Sequence, residues 1–277
     1  LVFAGGAIHA VMEFDPPLPK SPLEEKYATP EICLIGGDDR FEISGGIVTG
    51  QVQQGEGIDH FAMSGGEINT LNQGGALDTF VMSGGRIVDA FDDGDHAVMT
   101  GGRIGRVNMK LADNLFDMSG GTIDRNLVTG FGNDTIIVSG GTIGGNISVS
   151  GGTDSVTITG GSVGGDVLLS VGTDRFVWNG GGVVHGTVVL GGDNDSAQLT
   201  NLTDAHLGRS PRITGGEGTD TLVFANVTTS NVARFDGWER IDATNDTELT
   251  FNGFLTLGDA GTGTGVFALD ASSTIFG

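Results

Sequence analysis

Eight acidic or amide residues recur along this chain, each five positions before a Ser-Gly-Gly or close variant: Asp39, Asp59, Asp78, Asp95, Asn114, Asp134, Asp154 and Asp174. A carboxylate at the mouth of a glycine turn can do one of two things. It can join main-chain carbonyls around a hard cation, which takes six or more oxygens. It can also accept hydrogen bonds from nearby backbone N–H groups and cap the turn. A second group of candidates is basic. Arg86, Arg103, Arg106, Lys110 and Arg125 are five of the 13 Lys and Arg residues and fall within one stretch of the chain. Arginine beside apolar surface marks protein interfaces. A third group is nucleophilic or acid-base. Gly160-Gly161-Ser162-Val163-Gly164 fits a nucleophile elbow by letter. That elbow needs a strand-to-helix turn, whereas here the same bend returns in every repeat. His60 and His96 each follow an Asp of the series and read as outward, solvated positions.

The elements that position these residues follow from the spacing. The Ser-Gly-Gly marks begin at Ser44, Ser64, Ser83, Thr100, Ser119, Ser139, Thr159 and Asn179, in steps of 17 to 20 residues, and a ninth, degenerate unit spans Asp195–Thr200. A period near 20 means one unit stacked many times, a solenoid. Within a unit, Asp78-Thr79-Phe80-Val81-Met82 alternates with period two and is a strand. The Gly pair then turns the chain at no Cβ cost. Two residues after the Asp come Phe41, Phe61, Phe80, Ala97, Phe116, Ile136, Val156 and Phe176. Four after it come Ile43, Met63, Met82, Met99, Met118, Val138, Ile158 and Trp178. Nine after it come Val48, Ile68, Ile87, Ile104, Ile123, Ile143, Val163 and Val183, and about thirteen after it Val52, Leu127, Ile147 and Val167. Three short strands per coil describe an all-β, right-handed parallel β-helix with about 20 residues per coil. Nine coils at ~4.8 Å give a rod of roughly 40–45 Å. The methionines read as core filler rather than thioether ligands.

Three regions are expected. Residues 1–35 hold a cap strand over Leu1–Ala10 and a Pro-rich loop over Glu13–Thr29, with Asp15-Pro16-Pro17-Leu18-Pro19 and Glu24-Glu25-Lys26. Residues 36–200 are regular coils. Residues 201–277 are irregular coils and a C-terminal cap, because a solenoid must hide its last open edge. The chain opens at Leu1 without a signal peptide and reads as a processed piece.

Composition excludes some partners. Thirteen basic and 35 acidic residues give a net charge of −22, which repels nucleic acid and anionic membranes. No apolar run reaches the ~18 residues of a membrane helix. The single cysteine, Cys33, allows no intramolecular disulfide, although, if exposed, it could link two chains.

Calcium has one specific signal. Gly215-Gly216-Glu217-Gly218-Thr219-Asp220-Thr221-Leu222-Val223 fits the calcium-binding nonapeptide. Looser versions end at Asp39, Asp134 and Asp195, so Asp220, Asp195 and Asp134 would be its ligands. In a calcium β-roll the nonapeptide recurs back to back. Here it occurs once per coil, with Ser-Gly-Gly at the other turn, so backbone capping is the preferred reading and no cofactor is expected.

The stacked coils resemble the β-helical passenger domains of bacterial autotransporters (type V secretion). Phe235-Asp236-Gly237-Trp238-Glu239-Arg240-Ile241, followed by Thr247-Glu248-Leu249-Thr250-Phe251, is similar to the segment that often precedes the passenger's folding cap. Among passengers, the chain is similar to small Ser-Gly-Gly-rich alphaproteobacterial ones, including the Bartonella angiogenic factor type. The resemblance implies export through the outer membrane by a β-barrel translocator that this sequence does not contain. It implies a secreted or surface-displayed virulence factor that binds a host cell-surface receptor or matrix protein, as a pro-angiogenic signalling ligand or as an adhesin, without catalysis. The serine-protease passengers' Gly-Asp-Ser-Gly-Ser motif does not occur. On this reading the partner site is Arg86, Arg103, Arg106, Lys110 and Arg125, beside Val81, Val98, Leu115 and Ile137. The alternatives are a polysaccharide-active β-helix enzyme and a calcium-stabilised β-roll.

Overall fold

The computed structural model describes residues 10–13, 32–34, 36–258 and 265–277. It is an all-β parallel solenoid of about 11 turns, so the rod is longer than nine coils, roughly 50 Å at the usual strand spacing. A middle coil has the three strands expected: Thr135–Val138, Thr142–Ile143 and Ile147–Ser148. Each pairs in parallel with its counterparts one coil before and one coil after. The first coils instead run through their bends as the long strands Arg40–Gln53 and His60–Asn72, with register shifts at the Ser-Gly-Gly and near Val48.

The solenoid continues past residue 200 in register. Ser196–Thr200 pairs residue for residue with Thr221–Ala225, and that strand with Arg240–Thr244. The longer step, 25 residues from Asp195 to Asp220, is taken up by a loop containing the short helix Asp204–Leu207. Thr203 and His206 form its capping box, and buried Leu207 anchors it to the rod. Buried Arg234 donates to the Leu207 carbonyl and, at 3.1 Å, to the Ser210 carbonyl. Trp238, fully buried, donates its Nε1–H to the Ile213 carbonyl at 3.2 Å. At the other end, Ala10–Glu13 lies antiparallel along Arg40–Ile43 and covers an otherwise open edge. That strand begins where the expected one ends. The remainder of the expected cap and the Pro-rich loop lies outside the described residues.

The interior is built of like residues stacked on like. Phe41, Phe61 and Phe80 lie face to face with centroids 5.5 and 5.6 Å apart and planes within 5°. Ala97 breaks this column, and Phe91 from the third strand stacks on Phe80 at 4.2 Å. Met63, Met82, Met99 and Met118 are buried below the Ser-Gly-Gly bends. One expected position is corrected. Val184, not Val183, is buried and pairs with Val163, while Val183 pairs with Ser162. Asn179 is followed by three glycines rather than two, and the added residue moves the alternation on by one. Ser162 lies on a second strand between Thr142 and Val183, with a third strand and no helix after it.

The second glycine of the Ser119 mark is fixed twice over. Gly121 has φ +88°, and a Cβ there would stand 2.6 Å from the Met99 methyl and 2.8 Å from the Gly102 carbonyl oxygen. The methyl can move, whereas the backbone of the preceding coil cannot. Gly121→Ala is therefore expected to cost about 2 kcal/mol or more, from the positive φ and the clash together. The urea midpoint should fall, with far-UV circular dichroism still reporting strand.

Candidate functional site

Each residue of the Asp series sits at the entry to a first strand, and its side chain spans two coils. The backbone N–H of Asp59 donates to Asp78 Oδ1 at 2.8 Å, and that of Asp78 to Asp95 Oδ2 at 2.8 Å. The same bond runs from Asn114 to Asp134, Asp134 to Asp154, Asp154 to Asp174, Asp174 to Asp195 and Asp195 to Asp220, at 2.7–2.9 Å. The capping ladder expected from sequence is present, and it includes Asp134, Asp195 and Asp220. It also extends to a residue the spacing did not reveal. The Asp220 N–H donates to Glu239 Oε2 at 2.7 Å, and Glu239 is buried. The signal lay in Trp238-Glu239-Arg240-Ile241, where Glu239 precedes a first strand just as each Asp does.

One oxygen of each carboxylate does this work. The other is buried without a hydrogen-bond partner at Asp59, Asp78, Asp134, Asp154, Asp174 and Asp195. Burial, with neighbouring ladder carboxylates adding to it, pushes Asp78 and Asp195 up to about 7. Asp154 and Asp174 are raised to about 6, and Asp59 and Asp95 are raised as well, in each case chiefly by burial. Asn114 differs: its Oδ1 is buried without a hydrogen-bond partner, and its other side-chain atom is a donor. Its Nδ2 donates to the Met109 carbonyl at 3.2 Å, the Ala112 carbonyl at 3.0 Å and Asp134 Oδ1 at 3.0 Å.

The five basic residues all lie on the second and third strands or the bend between them, and each is held by an acid. Arg86 meets Glu67 at 3.5 Å, Arg103 meets Asp124 at 2.8 Å and Arg106 meets Asp92 at 2.8 Å. Lys110 meets Asp93 at 2.9 Å, and Arg125 reaches back to Asp89 at 2.6 Å. Exposed pairs of this kind add little stability each, and they present alternating charge rather than a positive field. Glu67, Arg86 and Arg103 stack in register as the spacing suggested. Val81, Val98, Leu115 and Ile137 lie on the first strands, across the Ser-Gly-Gly bend from the bases, and Asp117 interrupts the column between Val98 and Ile137. His60 and His96 flank Thr79 on the outer face, two coils apart.

A different apolar group does adjoin the bases. Leu111 and Phe131 are each 69% exposed and pair across adjacent coils, and Val171, 56% exposed, follows two coils later. Gly151 between them is flanked by both side chains: its Cβ position is 3.5 Å from Phe131 and 3.2 Å from Val171. The result is a continuous apolar ridge starting beside Lys110. The sequence signal was Phe131 in Gly130-Phe131-Gly132-Asn133-Asp134, a large apolar residue between two glycines. Among the described residues no group of three or more His, Cys, Asp or Glu converges on one point, and no helix is long and apolar enough to cross a membrane. Cys33 is exposed. A cleft near the C-terminal coils is lined by Arg212, Glu217 and Asp236 with Val171, two threonines and several glycines, and Arg212 is paired to Asp236 at 2.8 Å.

No family model and no curated protein matches the chain. Among solved structures, the chain is similar to a hyperactive, Ca2+-dependent, β-helical antifreeze protein from an Antarctic bacterium. The identity is 19% and the TM-score 0.52, over 82% of this chain and 67% of that one. At this identity the likeness is one of fold.

The ladder makes stability depend on pH in an uncommon direction. Carboxyls raised to about 6 or 7 keep their protons between about pH 4 and 7, while the unfolded chain has lost them. The stability they contribute is therefore lost as pH rises through that window. His60, lowered by burial and by Arg40, acts in the opposite sense, but it is one group against six. Asp204 and Asp270 are lowered, so their contributions change only below that window. In metal-free buffer the melting midpoint is expected to fall from pH 5 to pH 7.5 by roughly 5 °C or more. Replacing Asp154 and Asp174 by Asn should flatten the slope.

Proposed function

We propose that the chain is a non-catalytic binding rod, a secreted or surface-displayed passenger of the autotransporter type, whose partner is a protein on a host cell surface. The observation that carries this reading is the ridge of Leu111, Phe131 and Val171, which starts where the ion-paired bases Arg106 and Lys110 end. Exposed apolar side chains rimmed by charge are how protein interfaces are built. Held on parallel strands of one rigid rod, these side chains lose little freedom on binding, so their burial converts efficiently into affinity. Outer-membrane export through a separate β-barrel and release as a signalling ligand, pro-angiogenic or otherwise, belong to the same proposal, with tethering as an adhesin as its other form.

A polysaccharide-active reading has one feature in its favour, the cleft lined by Arg212, Glu217 and Asp236. The Arg212–Asp236 pair occupies one of its two carboxylates, which leaves Glu217 without an obvious acid-base partner.

The test is saturable binding of the purified chain to endothelial cells, with receptor phosphorylation as a second readout. Leu111→Ser combined with Phe131→Ser, and separately Arg106→Glu combined with Lys110→Glu, should each weaken binding about tenfold or more, the size of a modest hot spot. Their melting midpoints should stay close to that of the parent. Binding with phosphorylation identifies a signalling ligand, and binding alone an adhesin. Parent-like binding by both variants would place the interface elsewhere.

A further inference from the structure

We propose that the unpartnered carboxylate oxygens of the ladder line a file of binding positions for a hard divalent cation of calcium's size, between the ladder and the turn carbonyls. The proposal does not depend on the receptor reading.

The argument starts from Asn114. Its Nδ2 faces two carbonyls of its own coil, those of Met109 and Ala112, five and two residues earlier. The slot beside a ladder side chain is thus lined by oxygen. An amide nitrogen satisfies it, whereas a carboxylate oxygen placed there meets carbonyl oxygens and is repelled unless positive charge intervenes. Coils in the same register repeat the arrangement. Thr129 pairs with Met109 and Phe131 with Leu111, so the register sets Thr129 and Gly132 relative to Asp134 where Met109 and Ala112 stand relative to Asn114. The same offsets set Val149 and Gly152 relative to Asp154, and Leu169 and Gly172 relative to Asp174. Asp220 shows the placement directly: a Cβ on Gly215, five residues earlier, would stand 2.6 Å from Asp220 Oδ2.

The second observation is burial. Asp134, Asp154 and Asp174 are each 1% exposed, and each has one oxygen without a partner. Three such carboxyls in successive coils, each bonded to the coil before it, are costly in a dry corner of the rod. Stacked carboxylates and stacked carbonyls together offer oxygen ligands and no nitrogen or sulfur. That donor set suits calcium rather than a transition metal. Main-chain oxygens supply much of it, which is why acidic side chains need not converge in threes. The Asn114 coil carries its own donor and needs no cation.

Equilibrium dialysis of EDTA-washed chain against calcium, paired with thermal melting at pH 7.5, tests this. Several calcium ions per chain are expected, with the melting midpoint higher in millimolar calcium than in EDTA and moved less by equal magnesium. The Asp154→Asn/Asp174→Asn variant should bind fewer ions and, in EDTA at pH 7.5, melt no lower than the parent, because each new amide can donate to the carbonyls as Asn114 does. Equal shifts with magnesium and calcium would mean screening of the chain's net charge of −22 and would overturn the proposal. So would an unchanged midpoint in calcium and EDTA, which would mean that protons fill the slot, or unchanged stoichiometry in the double variant.

Discussion

In-register parallel stacking is the constraint on which the rest of this structure depends. Every residue of a coil lies one strand spacing from its counterpart in the next, so each inward position faces its own kind. For Phe41, Phe61 and Phe80 this is favourable, because flat rings stack with little lost volume. For the methionines it is tolerable, because a flexible thioether fills what its neighbour leaves. For Asp it is unfavourable, since it brings like charges together in a dry corner. The fold lowers that cost by aiming a backbone N–H at each carboxylate from the coil before. The main chain thereby gains an acceptor at the one place per coil where the strand ladder starts.

The same constraint explains the glycines and the outer charges. Adjacent bends stack main chain on main chain, and a Cβ on Gly120 would run into the Thr100 carbonyl oxygen of the coil before. On the outer face, where side chains can bend toward water, like-on-like stacking is relieved sideways. Arg86 and Arg103 are neighbours in one column, yet each finds an acid from a different coil, Glu67 and Asp124. A basic cluster read along the chain therefore becomes a neutral lattice when the chain is wound.

The period made most of this legible. A repeat near 20 residues with inward positions two, four, nine and thirteen after the Asp is enough to set three strands, their faces and the ladder. What it could not give was anything that breaks the period. Val184 replaces Val183 because one added glycine shifts a two-residue alternation, and nothing local marks which of two adjacent valines turns inward. Glu239 joins the ladder with one more methylene than Asp, so a search for Asp passes it by. The coils beyond residue 200 look irregular because the helix Asp204–Leu207 lengthens one connection, while the strands on either side keep strict register. The ridge was hidden for another reason. Leu111, Phe131 and Val171 are far apart in sequence and stand at or just past strand ends, where the inward-outward alternation stops and apolar residues carry no periodic signal.

That separation bears on where function can reside. Inward columns, ladder and bends are each fixed by the coil above and the coil below, so a change at one of them must be accommodated by two neighbours. The outward positions of the first strands carry no such tie. Arg40, His60, Thr79, His96, Leu115, Thr135, Ser155 and Arg175 follow one another in register and share neither charge nor size. The ridge is equally free of the core: Leu111, Phe131 and Val171 share one position of the coil with Gly151, so the fold demands no particular residue there. A large aromatic exposed at such a position contributes nothing to the packing beneath it, and its exposure is a standing cost in solubility. Stacking does not account for the composition of this part of the surface, and a partner covering Phe131, as proposed above, would account for it.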